Sequence, residues 1–309
     1  MSKTIQAVLT IAVVALVTGC ASDPTDRAAG DGPLKIVATT GMIGDAAAIV
    51  GGDAVNVETL MGPGVDPHLF KASEGDVQRL GDADLILYNG LHLEGKMTDI
   101  LVKLASRRPI VAVGGELPEE RLREPPEFLG QYDPHIWFDV ELWSRTLTFI
   151  AEALVELRPE HAETFRANAE SYRQALLELD SWAKDRIESI PESRRILVTA
   201  HDAFGYFGER YGVRVVGLQG LSTLAEAGLK DMERVVDIVV DSGIDAIFVE
   251  TSVPRRAIEA VQAACRARGA DVEIGGELFS DAMGAEGSPE GTYIGMVRHN
   301  VNTIVEALQ

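Results

Sequence analysis

From Pro159 to Ile190 the chain gives no strand signal, and this stretch of about 32 residues constrains the fold more than any other part of the sequence. Phe165, Tyr172, Leu176, Leu179, Ala183 and Ile187 recur every three or four residues, the spacing of one apolar helix face. Pro159 suits the first turn of a helix and Pro191 ends it. At 1.5 Å per residue the rod is roughly 45–50 Å long. Four short apolar runs lie on each side of it. Before it come Lys35–Ala38, Val55–Thr59, Leu85–Tyr88 and Ile110–Val113; after it come Ile196–Thr199, Val213–Val216, Ala246–Val249 and Val272–Ile274. Helical patterns such as Glu141–Leu157, Lys230–Asp241 and Pro254–Arg268 fill the gaps. This alternation predicts an α/β fold of two lobes, each a mostly parallel sheet flanked by helices with a core of its own, joined by a single long interlobe helix. The expected divisions are 34–157, 158–190 and 191–309. A long surface helix within one domain is the competing arrangement.

The chain has six histidines, and three fall where strands should end. Two stand in a repeated tripeptide, Asp66-Pro67-His68 and Asp133-Pro134-His135. Proline fixes its own φ and drives the preceding Asp to extended geometry, so each imidazole sits on a stiff stem. Stiff imidazoles in loops suit metal ligation better than core packing. His201 follows the run Ile196-Leu197-Val198. A lone loop histidine is more often a surface or hydrogen-bonding residue than a ligand, and the repeat is what singles these out. His92 is ambiguous, while His161 and His299 fall on helices and read as structural or solvated. In open α/β sheets ligands bind beyond the carboxyl ends of strands, so a cleft shared by both lobes is expected. A fourth ligand should come from the second lobe. Asp281, after the last strand, is the choice, with Glu250 as rival. Glu250 comes straight off a strand, which also suits a carboxylate that orients a ligand histidine.

The first residues read as an address label. Lys3 gives a thin positive start, Ile5 to Val17 is apolar, and Val17-Thr18-Gly19-Cys20 follows. Small residues before a cysteine resemble the bacterial lipobox, so residues 1–19 are expected to be a lipoprotein signal peptide with Cys20 lipidated. Residues 20–33 are small and polar, as in a tether. The protein is then extracytoplasmic and held to a bacterial membrane by lipid. With Cys20 taken, Cys265 is alone, which leaves no intramolecular disulfide and no thiolate site. Lys and Arg total 28 against 48 Asp and Glu, a net charge of −20, which argues against nucleic-acid binding and is permissive for cations.

Five motifs in order carry a family resemblance: Val65-Asp66-Pro67-His68; Asn89-Gly90-Leu91-His92-Leu93-Glu94; Asp133-Pro134-His135-Ile136-Trp137-Phe138-Asp139; Thr199-Ala200-His201-Asp202-Ala203-Phe204-Gly205-Tyr206-Phe207; and Leu278-Phe279-Ser280-Asp281-Ala282-Met283-Gly284. From about Lys35 to Leu308 the chain resembles the cluster A-I solute-binding proteins of bacterial ABC transporters for zinc and manganese, the TroA-like members most. The resemblance implies a rigid two-lobed receptor, a monomer, that holds Zn²⁺ or Mn²⁺ as cargo on His68, His135, His201 and Asp281 and delivers it to a membrane permease. Manganese-type members often carry Glu where His201 stands, which moves this site towards zinc or mixed specificity. Zinc-type members often carry a His-rich loop before the second ligand, whereas Gly114 to Tyr132 has no His, which argues against a dedicated scavenger.

Independently of the resemblance, three imidazoles and one carboxylate suit four-coordinate Zn²⁺, or five-coordinate if Asp281 is bidentate. Such a site intrinsically favours Zn²⁺ over Mn²⁺, so manganese selection would come from geometry or supply. A metal hydrolase would keep a coordination position open for water, and four protein ligands close it. A surface adhesin remains the other alternative, with nothing in the sequence that encodes it.

Overall fold

The long helix organises the molecule. The computed structural model describes residues 32–309 apart from Leu129. The expected leader, Cys20 and nearly all of the tether lie outside these residues. The first half folds as β1 (Leu34–Ala38), α1 (Gly41–Gly51), β2 (Val55–Thr59), α2 (Glu74–Asp82), β3 (Leu85–Tyr88), α3 (Thr98–Ala105), β4 (Ile110–Ala112) and α4 (Val140–Leu157). Then comes α5 (Ala162–Glu188), entered through a 3-10 turn at Pro159–His161. The second half is β5 (Ile196–His201), α6 (Gly205–Tyr211), β6 (Arg214–Gln219), α7 (Leu229–Asp241), β7 (Ala246–Glu250), α8 (Arg256–Ala267), β8 (Glu273–Leu278) and α9 (Tyr293–Leu308).

The N-terminal lobe holds a sheet in the order β2-β1-β3-β4, all parallel, with Ile36 of β1 opposite both Val57 and Leu85. In the C-terminal lobe β5 pairs with β6 and β7 with β8, again parallel, and β5 lies beside β7. Runs such as Leu-Ile-Leu-Tyr at 85–88 have no polar alternation because helices cover both faces of the sheet. Three strands run beyond expectation, β6 reaching Gln219 rather than Val216. β5 continues through His201, and β8 continues through Gly275 and Gly276 to Leu278. Glycine weakens a strand signal, but here Gly275 is a bulge, skipped as the register passes from Ile274 to Gly276. A Cβ on it would come 2.7 Å from that of Ala307, so the close seat of α9 on β8 requires glycine.

Helix α5 has 27 residues, about 40 Å of rod, and buries Phe165, Tyr172, Leu176, Leu179, Ala183 and Ile187 as its spacing predicts. Its first half is tied to α1: Tyr172 Oη donates to Asp45 Oδ2 at 2.9 Å and Asn168 Nδ2 to the Val50 carbonyl at 3.0 Å. Its second half is tied to α6, with Arg210 Nε donating to Asp180 Oδ1 at 2.9 Å and Tyr211 Oη to the same oxygen at 3.0 Å. Each lobe has its own apolar cluster, around Val37, Leu80 and Ile86 in the first and Val198, Val236 and Ile258 in the second. A third cluster was not expected. It runs without a break from Ile36, Leu87 and Trp143 through the face of α5 to Leu197, Phe248 and Ile304. The two lobes therefore share a core as well as a connecting helix.

Candidate metal centre

Four side chains meet between the lobes, and each is delivered by a different device. His68 stands on the loop after β2, beyond Pro67; its amide donates to Asp66 Oδ1 at 2.8 Å. His135 follows the long connection after β4. Asp133 Oδ1 accepts from the His135 amide at 3.0 Å and from its Nδ1 at 2.7 Å. His201 is the last residue of β5, and Glu250 closes the neighbouring strand β7. The carboxylate of Glu250 takes the His201 amide at 2.9 Å and its Nδ1 at 2.5 Å. Asp281 sits three residues beyond β8, where Trp137 Nε1 donates to the Ser280 carbonyl at 3.0 Å across the lobes.

The donor atoms of His68, His135, His201 and Asp281 all lie within 4.8 Å of one another, and no residue of the four is more than 2% exposed. Asp281 faces His201 Nε2 at 3.2 Å, His135 Nε2 at 3.4 Å and His68 Nε2 at 3.7 Å. His68 Nε2 and His135 Nε2 are 3.3 Å apart. When the rings are neutral, His135 and His201 each spend the Nδ1 proton on a carboxylate, and their Nε2 atoms are lone-pair acceptors. They point at a carboxylate that is itself only an acceptor. His201 Nε2 and both oxygens of Asp281 are buried without a hydrogen bond. Buried polar atoms are nearly always partnered, and acceptors facing acceptors are held together by a cation. The residues present therefore fit a metal ion.

Electrostatics separate His68 from His201. Burial pushes His68 down to about 3, so it stays neutral. Burial also opposes a charge on His201, but the carboxylates of Glu250 and Asp281 outweigh it and hold the ring well above the ordinary imidazole value. Burial would raise Asp281; the three imidazoles, His201 foremost, hold it well below the carboxylate range. Without metal, the proton in the cluster belongs on His201.

The other histidines stand apart: His92 and His161 are exposed, and His299 is half-buried on α9 with Nε2 at 3.0 Å from the Glu277 carbonyl. Of the two carboxylates weighed for the second lobe, Asp281 points into the cluster and Glu250 stands behind His201. A cavity of about 1000 Å³ lies elsewhere, lined by Arg123, Phe128, Asp202, Gly217 and Leu224 and by none of the four.

Two supporting elements escape sequence reasoning. Asn89 Nδ2 donates to the Pro134 carbonyl at 2.9 Å, holding the stem of His135. The loop that presents Asn89 puts Leu91 and His92 at φ 52° and 66°, a left-handed conformation costing about 1 kcal/mol each. Buried Glu94 holds it there, accepting from the Asn89 and Gly90 amides at 2.7 and 3.1 Å and from Thr39 Oγ1 at 2.7 Å. Arg123 is the second element. It donates from Nη1 to Asp133 Oδ2 at 2.5 Å and from Nε to Glu209 on α6 at 2.6 Å. The Asn-Gly-Leu-His-Leu-Glu motif was the only signal available for the first; nothing local marks Arg123.

Fold and site together define a class: two α/β lobes on a shared helix, with a buried three-histidine, one-aspartate cluster between them that could hold a metal ion. The chain belongs to the family described as ZnuA, zinc-uptake complex component A, periplasmic, which it matches over residues 36–307. It is 47% identical over 310 residues to the manganese-binding lipoprotein MntA of Bacillus subtilis, covering 100% of both chains. It is 49% identical over 281 residues to the zinc-binding protein TroA of Treponema pallidum, covering 91% of both. The solved structure of the periplasmic zinc-binding protein TroA from Treponema pallidum superposes with a TM-score of 0.87 at 48% identity, covering 90% of this chain and 99% of that one.

Proposed function

We propose that this protein is an extracytoplasmic receptor that takes one divalent transition-metal ion, Zn²⁺ or Mn²⁺, on His68, His135, His201 and Asp281 and passes it to the membrane permease of an ABC importer. The observation that carries this reading is the buried convergence of four ligand atoms within 4.8 Å of one another, with His201 Nε2 and both oxygens of Asp281 left without a hydrogen bond. Binding is the whole of its chemistry. Four protein donors close the coordination shell, so the site holds an ion rather than activating a water. The relatives named for zinc and for manganese support both cargoes. Three nitrogen donors lean towards Zn²⁺, and Mn²⁺ is held where supply favours it. Lipid on Cys20, with residues 20–33 as tether, keeps the receptor at the membrane as a monomer.

The test is elemental analysis of the protein purified without chelator, followed by competition between Zn²⁺ and Mn²⁺. One equivalent of either metal per chain is expected. A preparation with no bound metal and no uptake of either ion would overturn the proposal.

A further inference from the structure

The two Asp-Pro-His tripeptides share a sequence and one side-chain-to-backbone hydrogen bond, yet their carboxylates do different work. In each, one Asp oxygen accepts the amide of the following histidine, at 2.8 Å for His68 and 3.0 Å for His135. Asp133 also braces the His135 ring. Among the described residues no carboxylate braces the ring of His68 in this way, since the second oxygen of Asp66 is engaged elsewhere. It accepts Thr223 Oγ1 at 2.5 Å. Thr223 follows β6 in the C-terminal lobe, is 7% exposed, and lies 157 residues from Asp66.

Several polar links join the lobes, and Arg123 Nε to Glu209 and the Tyr293 amide to Asp45 also end on carboxylates; two that touch ligand-bearing segments differ from the Thr223 bond. Trp137 Nε1 reaches the Ser280 carbonyl, and Tyr206 Oη reaches the Asp133 carbonyl; both end on backbone. The Thr223 bond ends on a carboxylate, is charge-assisted and therefore stronger, and grips the group that caps the His68 amide. Pro67 fixes φ between the two residues, so Asp66 and His68 move as one stem. What holds Asp66 holds His68.

We propose that Thr223 is a positioning residue for His68: its hydroxyl, by holding Asp66 across the cleft, keeps that imidazole in line with the other three donors and sets how fast the metal leaves. The inference rests on the metal-receptor reading. It makes His68 the ligand governed from the opposite lobe, whereas His135 and His201 are braced by Asp133 and Glu250 directly.

Thr223→Val keeps the β-branched shape and removes the hydroxyl; Thr223→Ser keeps the hydroxyl. Both are loaded with Zn²⁺ and separately with Mn²⁺, and release into excess chelator is followed by stopped flow. Loss of one charge-assisted hydrogen bond predicts about tenfold faster release from Thr223→Val, with Thr223→Ser within about twofold of the parent. Co²⁺-loaded Thr223→Val should show an altered visible spectrum, which reports ligand geometry and which a merely structural role would leave unchanged. Should Thr223→Val fail to fold, Asp66→Asn, which weakens the same acceptor, carries the same expectation of faster release. A parent that takes up no metal would refute the receptor reading itself. A parent that binds, with Thr223→Val releasing at the parental rate and an unchanged Co²⁺ spectrum, refutes the role of Thr223 alone.

Discussion

The C-terminal lobe sets His201 on a sheet, and the N-terminal lobe builds its whole share of the site from loops. His201 ends β5, and its brace Glu250 ends the adjacent β7, so ligand and brace are fixed by two strands lying side by side. His68 and His135 stand in loops, and their stems are held by distant groups: Thr223 for one, Asn89 and Arg123 for the other. A strand positions a ligand through the ladder itself. A loop needs added contacts, each of which can be removed singly. Removing a group from the sheet side should therefore cost more than removing one loop support.

The largest effect is expected from His201→Ala. It removes a donor and leaves Glu250 and Asp281 buried with less to balance them, so affinity for both metals should fall at least about 100-fold, read by chelator competition. The fold should survive, since the apolar clusters are untouched; a collapsed circular dichroism spectrum would refute this.

Glu250→Gln comes next, with a loss of about 10–100-fold in metal affinity through misorientation of His201. Asp133→Asn is the matching change on the loop side. If it costs as much as Glu250→Gln, the contrast between sheet and loop fails.

His201→Glu alters preference more than strength. A hard carboxylate replaces an imidazole beside Asp281, so Zn²⁺ should lose about tenfold more than Mn²⁺. An unchanged Zn/Mn ratio means that His201 does not set preference.

Acid should weaken binding mainly through His201. Its raised proton affinity means that the metal must displace a proton even above pH 6.5, the ordinary imidazole value, so affinity falls as pH drops from about 7.5 to 5. His68, pushed down to about 3, adds nothing over that range. About one proton should be released per metal near neutral pH, measurable by titration calorimetry in buffers of different ionisation enthalpy. For the metal-free protein the signs oppose each other. The raised His201 stabilises the fold below its unfolded value and loses that contribution as pH rises. The lowered His68 contributes above pH 6.5 and loses that as pH falls towards 3.

The smallest effect belongs to Asn89→Ala, which frees the Pro134 carbonyl but leaves Asp133 on the His135 ring. A loss of two- to fivefold in affinity is expected, about 0.5–1 kcal/mol. A larger loss would show that the His135 stem depends on the strained loop more than on Asp133.

Much of the site was legible because its signals are local. Proline stems mark His68 and His135, and apolar runs mark the strand ends near His201 and Asp281. The helix from Ala162 to Glu188 was legible from its apolar period. What escaped is long-range. Asp66 and Thr223 are 157 residues apart, and Asn89 is 45 from Pro134; neither pairing leaves a trace in spacing. The role of Asp133 escaped for another reason, since beside a proline its carboxylate reads as a turn former and only the folded chain shows that Oδ1 also meets the His135 ring. The shared core was hidden because burial on one face of α5 does not reveal which partners supply it.

That shared core bears on how the molecule would fail. Ile36, Trp143, Phe165, Leu197 and Ile304 belong to one apolar continuum, so neither lobe can melt and leave the other's packing intact. Heating should give a single calorimetric transition whose van't Hoff and calorimetric enthalpies agree, despite two lobes. Amides along the inner face of α5 should exchange only with that global event, while those of the exposed loop at Leu91 and His92 should exchange far sooner.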